Sequence, residues 1–382
     1  MARLGDICTL VNGYAFKPTD WKSDGVPIIR IQNLNDVTAT FNYYDGVIDE
    51  KYTVSEGDLL FSWSGTPGTS FGAFFWKRGK GVLNQHIFNV HPVSGVDKEY
   101  LRYALNGNIS RIIDKAHGGV GLQHITKKEL VEIEIPLLPK DKQRQVVVTL
   151  DTAESLISLR KQQLAKLDEL VKARFVELFG DVKTNKFGWE KCRFGDVATK
   201  ITDGEHGTVP RVEKSEGYLY FMARNITKDG NIDLTEASYV PEEVHRKIYK
   251  RCNPETGDIL LVCVGATIGK CTIVPKDFEE FSMARSVALI KPDSQKVNST
   301  FLISLLKSDA IQNDISNCAH AAAQAGLYTN MIINLDAFLP PIELQNQFAA
   351  FVEQNDKSKM IIQQSLDKLE LMKKALMQEY FG

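Results

Sequence analysis

Long apolar runs are missing from this chain. No window approaches the roughly 20 consecutive apolar residues that a bilayer core requires. Met1 leads straight into polar sequence, so neither a membrane span nor a signal peptide is expected. Paired cysteines are missing as well. Cys8, Cys192, Cys252, Cys263, Cys271 and Cys318 are scattered without C-x-x-C spacing, which argues against a zinc site or a disulfide framework and fits reduced thiols in a cytoplasm. The histidines (His86, His91, His117, His124, His206, His245, His320) lack H-x-H and H-x-x-x-H spacing, so no metal site is expected. Charge of one sign is also absent. With 46 Lys and Arg against 48 Asp and Glu, the net charge of −2 neither favours nor opposes a nucleic-acid partner, because a basic face can sit inside a balanced total. At 382 residues and 43% hydrophobic composition, the chain suits two or three domains, each able to bury its own core.

Catalytic motifs are missing too. The segment Gly265-Ala266-Thr267-Ile268-Gly269-Lys270-Cys271-Thr272 resembles a phosphate loop but is one residue short, and Cys271 stands where a hydroxyl should follow the lysine. A turn that brings backbone amides and Lys270 to a phosphate remains open. The Pro340-Pro341 pair, between Leu339 and Ile342, lacks the acidic or amide residue and the aromatic needed to hold a flipped base, and it reads instead as a helix start. Pro292-Asp293-Ser294-Gln295-Lys296 has no second acidic strand residue to make a nuclease site, and reads as a turn.

What the chain does have is a repeat of itself. Leu4-Gly5-Asp6-Ile7 returns as Phe194-Gly195-Asp196-Val197, and Ile28 to Leu34 returns as Tyr220 to Ile226. Gly57-Asp58-Leu59-Leu60 with Gly65 returns as Gly257-Asp258-Ile259-Leu260 with Gly265. His86 to Pro92 matches Ser286 to Pro292, and Pro139, Gln143 and Gln145 match Pro341, Gln345 and Gln347. Each half ends on Phe-Gly, at Phe179-Gly180 and Phe381-Gly382. A unit this long is a domain plus a helix, not a solenoid repeat.

The element order is the same in both halves. Pro27 to Ile31, Asp58 to Ser62 and Ile87 to Val90 read as strands. A helical period follows from an Asp97 cap through Tyr100, Leu101, Ala104, Leu105, Ile109 and Ile112, and its counterpart runs from Ser299 to Ile311. Prolines then mark the entry to a longer helix. Leu150, Ile157, Leu164, Leu167, Val171 and Leu178 form its near-heptad seam, interrupted by Arg160, and Ile362, Leu366, Leu369 and Leu376 continue the seam of the second copy. Helices this long with one apolar stripe need a partner along it, and an antiparallel pair is the simplest closed arrangement. The alternative is two unrelated amphipathic helices, each lying on its own domain. The expected fold is therefore α+β. Two strand-rich domains (1–139 and 181–341) are related by a pseudo-two-fold repeat and separated by two long antiparallel helices (140–180 and 342–382) packed as a coiled coil.

Over essentially its full length this layout resembles the specificity subunits of type I restriction-modification systems. The resemblance rests on the paired domain openings, the segment Asp203 to Pro210, the Gly257 to Lys270 strand and turn, the Pro-x-x-x-Gln-x-Gln helix starts and the Phe-Gly ends. It implies that each strand-rich domain recognises one half of a split double-stranded DNA target while the helices set the gap. It further implies docking of two adenine-methyltransferase subunits and of motor-nuclease subunits, which would use S-adenosylmethionine, ATP and Mg, with no cofactor bound by this chain. Asn12 to Pro18 stands where the second half has Asp203 to Pro210, so an asymmetric target is expected. A related modification system without restriction and a protein-only coiled-coil scaffold are the competing readings.

Base edges are read by side chains able to form paired hydrogen bonds, presented from loops on a rigid frame. In the first domain the candidates are Lys17, Ser64, Thr66, Thr69, Lys77, Arg78, Gln85, His86, Gln123 and His124. In the second they are His206, Thr208, Arg211, Arg224, Asn225, Lys270, Arg285 and Ser286.

Overall fold

The computed structural model describes residues 1–65, 71–119, 122–321 and 326–382. They fall into two units, Met1–Lys161 with Gln363–Gly382, and Gln162–Ile362. Each unit thus owns one strand-rich domain, the start of one long helix and the end of the other.

In the first unit an antiparallel sheet runs in the order Cys8–Asn12, Ile87–Pro92, Leu59–Ser62, Gly72–Phe75. A second sheet runs Asn42–Tyr44, Val26–Ile29, Gly81–Leu83, Thr53–Val54, with one parallel pairing at its centre. The strand Leu59–Ser62 is buried on both faces, and its two-residue period sends alternate side chains into different cores. Leu59 and Phe61 pack towards the helices, whereas Leu60 joins Ile29, Val54, Trp76 and Leu83. The second unit repeats the device. Ile259 and Leu261 join the helical core, and Leu260 and Val262 join Tyr220, Phe221 and Phe281.

The two long helices are Lys140–Phe179 and Ile342–Phe381, 40 residues each, or about 60 Å at 1.5 Å per residue. In the first unit Lys373 meets Glu154 at 2.7 Å and Lys161 meets Glu370 at 2.8 Å. Residue numbers rise on one helix as they fall on the other, so the pair is antiparallel there. In the second unit Lys359 meets Asp168 at 2.5 Å and the Arg174 guanidinium lies 6.0 Å from the Phe351 ring, which gives the same sense. Leu150 and Leu366 of the expected seam are buried; Ile157, Leu164, Leu167, Val171, Leu178, Ile362, Leu369 and Leu376 are half-buried.

The strongest anchoring lies at the helix ends. Phe381 is fully buried in the first unit, 5.3 Å from the Tyr100 ring, and Phe179 is fully buried in the second, 4.8 Å from the Phe301 ring. Each domain therefore closes on the far end of the helix that the other domain begins. Each helix start is pinned by a buried glutamine. Gln143 Oε1 accepts from Asp97 N at 2.8 Å, and its Nε2 donates to Leu138 O at 2.8 Å and Gly95 O at 3.2 Å. Gln345 repeats this with Asn298 N at 2.9 Å, Pro340 O at 2.8 Å and Lys296 O at 3.3 Å.

Three expected elements differ in detail. The strand at Pro27 to Ile31 is Val26–Ile29, and Ile31–Asn35 forms a helical turn because Asn33 Oδ1 accepts from Arg30 N at 3.0 Å. The helix begun by Asp97, whose carboxylate accepts from Tyr100 N at 3.0 Å, is two helices, Lys98–Gly107 and Ile109–Asp114. Asn108 breaks it by donating its side-chain amide back to Ala104 O at 2.9 Å. At the break a side chain on Gly107 would stand 2.7 Å from Phe381 Cβ, so the terminal phenylalanine requires glycine there. The counterpart also breaks, into Ser299–Leu306 and Asp309–Ala321, but there the hydroxyl of Ser308 donates back to Leu305 O at 2.7 Å. Among the described residues no helix is long and apolar enough to cross a membrane, and no group of three or more potential ligands could hold a metal ion.

Candidate nucleic-acid interface

In each unit three strands of the main sheet stop or start at one edge, and the loops beyond that edge bring most of the candidate residues together. In the first unit Phe88 faces Asn12 and Ile87 faces Ser62. Past this edge Trp63 is a hub. Its Nε1 donates to Asn12 Oδ1 at 3.3 Å, its ring lies 5.3 Å from that of His86, and its carbonyl accepts from Ile125 N at 3.2 Å. Ser64 pairs with His124, and Gln123 pairs with Gly65, in a three-stranded ribbon with His117–Gly119. Gln85 Nε2 lies 3.3 Å from His86 Nε2. The Nδ1 of His86 is buried without a hydrogen-bond partner, and burial pushes this histidine below its ordinary pKa, so it is neutral at pH 7. Exposed His124 has its ring 6.2 Å from that of His117, which pairs with Glu129. Hydrogen bonds from the Thr126 hydroxyl and from His117 hold the Glu129 carboxyl down at about 2.

Ser64, Gln85, His86 and His124 thus share one surface, with Gln123 placed there by its strand. Lys77 is exposed; Lys17 is exposed at the turn Pro18–Asp20. Arg78 is otherwise engaged. It donates to Ala39 O at 3.0 Å and lies 3.9 Å from the centre of the Phe41 ring, so it braces the second sheet and is removed from the interface. Thr66 and Thr69 lie outside the described residues.

In the second unit Val287 faces Val262 and Ala288 faces Asp203 at the matching edge. The crossing that opens the loop is built identically in the two units. Gly13 N donates to Ile87 O at 3.1 Å and Gly204 N to Val287 O at 3.2 Å; Tyr14 N donates to Leu83 O at 2.7 Å and Glu205 N to Met283 O at 2.8 Å. A Cβ would lie 2.1 Å from Asn84 O at Gly13 and 2.2 Å from Met283 O at Gly204, so only glycine allows this approach. Beyond the crossing the two loops diverge. In the second unit His206 Nε2 binds Asp203 Oδ2 at 2.6 Å, Thr208 is exposed, and the Arg211 guanidinium sits 4.1 Å from the Tyr220 ring centre. The backbone N of Arg285 donates to Glu205 O at 2.9 Å, leaving an exposed guanidinium beside this loop. Ser286 Oγ accepts from Ala223 N at 3.2 Å.

Two candidates in this unit belong to the frame. Asn225 is buried: its Oδ1 accepts from Met222 N and its Nδ2 donates to Asp233 O, both at 2.9 Å. Asn33 does the same in the first unit, closing on Arg30 N and Thr40 O. Recurrence of this asparagine in both halves of the sequence was the available sign that it shapes a turn. Arg224 spends its guanidinium on Glu236 O at 2.9 Å and Ser238 Oγ at 2.7 Å. The glycine-rich turn before Lys270 is no amide cradle, because Gly269 N and Lys270 N donate to Val262 O and Thr267 O. Lys270 itself is half-buried.

Sequence reasoning missed the helix Glu242–Cys252, in whose place the first unit has only a three-residue 3-10 turn, Glu50–Tyr52. It exposes Lys247, Lys250 and Arg251, while Arg246 pairs with Glu242. Gly207 N holds the Glu205 carboxyl below its ordinary pKa by hydrogen bonding, helped by the charges of Arg251 and Lys247, and Arg251 reaches the loop itself by donating to Gly204 O. The basic run near the C-terminal end of this helix was the legible signal.

The two units thus share one frame and differ in the polar loops that it carries. The model of the type I restriction-modification DNA specificity domain matches residues 1–169 and again 187–371, and the chain belongs to that family. It is 27% identical to the type I restriction enzyme EcoBI specificity subunit of Escherichia coli, over 92% of this chain and 78% of that one. It is 24% identical to the MjaVIII specificity subunit of Methanocaldococcus jannaschii, over 99% and 90%. The crystal structure of the type I S subunit from M. genitalium shares the fold, with a TM-score of 0.59 at 15% identity, covering 100% of this chain and 95% of that one. A chain from a study of complex assembly and conformational transition of the type I system matches with a TM-score of 0.59, also at 15% identity, over 99% and 96%. Specificity subunits of this kind are non-catalytic, the chemistry belonging to partner subunits.

Proposed function

We propose that each unit reads one half of a split, asymmetric double-stranded DNA target, with the two long helices setting the spacing. The observation that carries this is one turn present twice on the same frame with different chemistry. Gln85-His86 follows Asn84, and Arg285-Ser286 follows Ala284, at the same sheet edge. Glutamine suits the adenine edge and arginine the guanine edge in the major groove, so identical scaffolds present different half-site preferences. The adjoining loops, Asn12 to Pro18 and Asp203 to Pro210, differ in the same way.

The helices also offer two equivalent docking faces for modification subunits. The long helices are equal in length, and in register Leu159 and Leu170 on the first correspond to Ile361 and Met372 on the second. All four are exposed apolar side chains. Each unit contributes one pair, Leu159 with Met372 and Ile361 with Leu170, as two copies of one partner require. In this reading the partners, adenine methyltransferases and a motor nuclease, use S-adenosylmethionine, ATP and Mg in the cytoplasm.

The test replaces residues 1–139 with the corresponding domain of another such subunit and maps the methylated motif across a genome by single-molecule sequencing. One half of the motif should change while the other half and the spacer persist. If both halves changed together, one half-site per unit would be wrong; if neither changed, recognition would lie elsewhere in the complex.

A further inference from the structure

Among the described residues the loop Asp203 to Arg211 has no sheet partner beyond Glu205, yet in the proposed function it has to hold base-reading groups in a fixed pose. Three bonds tie its root to one helix end. Arg251 Nη2 donates to Gly204 O, Cys252 Sγ donates to Asp203 O at 3.3 Å, and Lys200 Nζ caps the helix by donating to Arg251 O. Arg251 therefore engages the carbonyl of the same glycine whose amide is fixed on Val287 O. The two peptide planes that flank Gly204 are each held at both ends, Asp203 O and Gly204 N by Cys252 Sγ and Val287 O, and Gly204 O and Glu205 N by Arg251 and Met283 O. The second plane sets the direction in which Glu205 and His206 depart.

The first unit solves the same problem without this helix. Its loop root is set in an aromatic cluster, where the Tyr14 ring lies 4.9 Å from Phe16 and 5.4 Å from Tyr52, and Phe16 lies 5.2 Å from Tyr44. Between the matching strands it has only the turn Glu50–Tyr52 and the short strand Thr53–Val54.

We infer that the helix Glu242–Cys252 is a brace that fixes the reading loop of the second unit, with Arg251 as a positioning residue for recognition of that half-site. The inference rests on the function proposed above. Arg251 acts through the backbone of Gly204, so its loss should blur the choice of base in one half-site more than it weakens attachment to DNA. A charged hydrogen bond of this kind is worth roughly a factor of ten or more in the equilibrium that it biases.

The full chain, assembled with its modification subunits, is assayed for methyl transfer to duplexes in which one or the other half of its motif is randomised. With Arg251→Gln, discrimination among bases in the second half should fall about tenfold. Discrimination in the first half and the melting temperature of the complex should stay at the wild-type level. Arg251→Lys, which keeps the length and the positive charge that the shorter, neutral glutamine amide lacks, should restore most of the discrimination. Lys200→Met loosens the same helix end from the other side and should give a smaller loss in the same half, and it carries the test if Arg251→Gln fails to fold. Equal losses in both halves, tracking a lower melting temperature, would make Arg251 merely structural and overturn the inference. Undiminished discrimination in Arg251→Gln, or in Lys200→Met where that variant carries the test, would overturn it as well. If the wild-type complex itself showed no separable halves, the proposed function would fail first.

Discussion

Replacing Gln143 by Met keeps the length and apolar volume of the side chain and removes its hydrogen bonds. Gln143 is 1% exposed, so no water takes its place at Asp97 N, Leu138 O and Gly95 O. Each buried group left without a partner costs about 1–3 kcal/mol, and the carbonyls are partly compensated by their second lone pair, so the total is about 2–5 kcal/mol. For a unit of about 180 residues, each kcal/mol lowers the melting temperature by about 2–4 °C. The first unit should therefore melt about 4–20 °C lower. Hydrogen exchange followed by mass spectrometry locates the effect. Protection should fall at Asp97 and at the start of the Lys140–Phe179 helix and persist at Asn298, whose amide is held by Gln345. Gln345→Met should give the mirror result. A loss below about 0.5 kcal/mol, the size of an ordinary surface change, would refute the claim that these glutamines pin the domains to the helices, as would equal loss of protection in both units.

Phe381→Ala removes a fully buried ring from the first unit and should cost about 3–5 kcal/mol, with the fall in thermal stability confined to that unit. Burial holds His245 below the ordinary histidine pKa against the opposing pull of Glu280, so it is uncharged in the fold. A lowered folded pKa means that stability is present above the ordinary value of about 6.5 and lost as pH falls through it. The second unit should melt lower at about pH 5.5 than at about pH 7.5, and His245→Phe should flatten that difference. Lys270→Ala should weaken binding to every duplex alike and lower the log-log salt slope by about one unit in filter-binding titrations; a loss confined to the specific target would contradict a phosphate contact. Changing Leu159 and Ile361 together to Glu should abolish assembly with modification subunits in size-exclusion chromatography, with each single change removing one copy; full assembly of the double variant would dismiss these faces as docking sites.

The sequence alone determined whatever depends on neighbours along the chain. The Asp97 cap, the proline-marked helix starts, the two 40-residue helices and the Phe-Gly ends follow from local periodicity and from a repeat visible by inspection. The duplication even separated the shared frame from the divergent loops, because Asn33 and Asn225 or Gln143 and Gln345 recur while Gln85-His86 and Arg285-Ser286 do not. Only the tertiary structure decided which polar side chains are free. Arg78 and Arg224 look as suited to base contact as Arg285 does, yet their partners Ala39 and Glu236 lie on other segments, and hydrogen bonds to a carbonyl of another segment leave no trace in local sequence. The helix Glu242–Cys252 did leave a basic run in the sequence, but the run alone does not say what it touches. Its charges read as a solvated face until folding sets Arg251 against Gly204, 47 positions away.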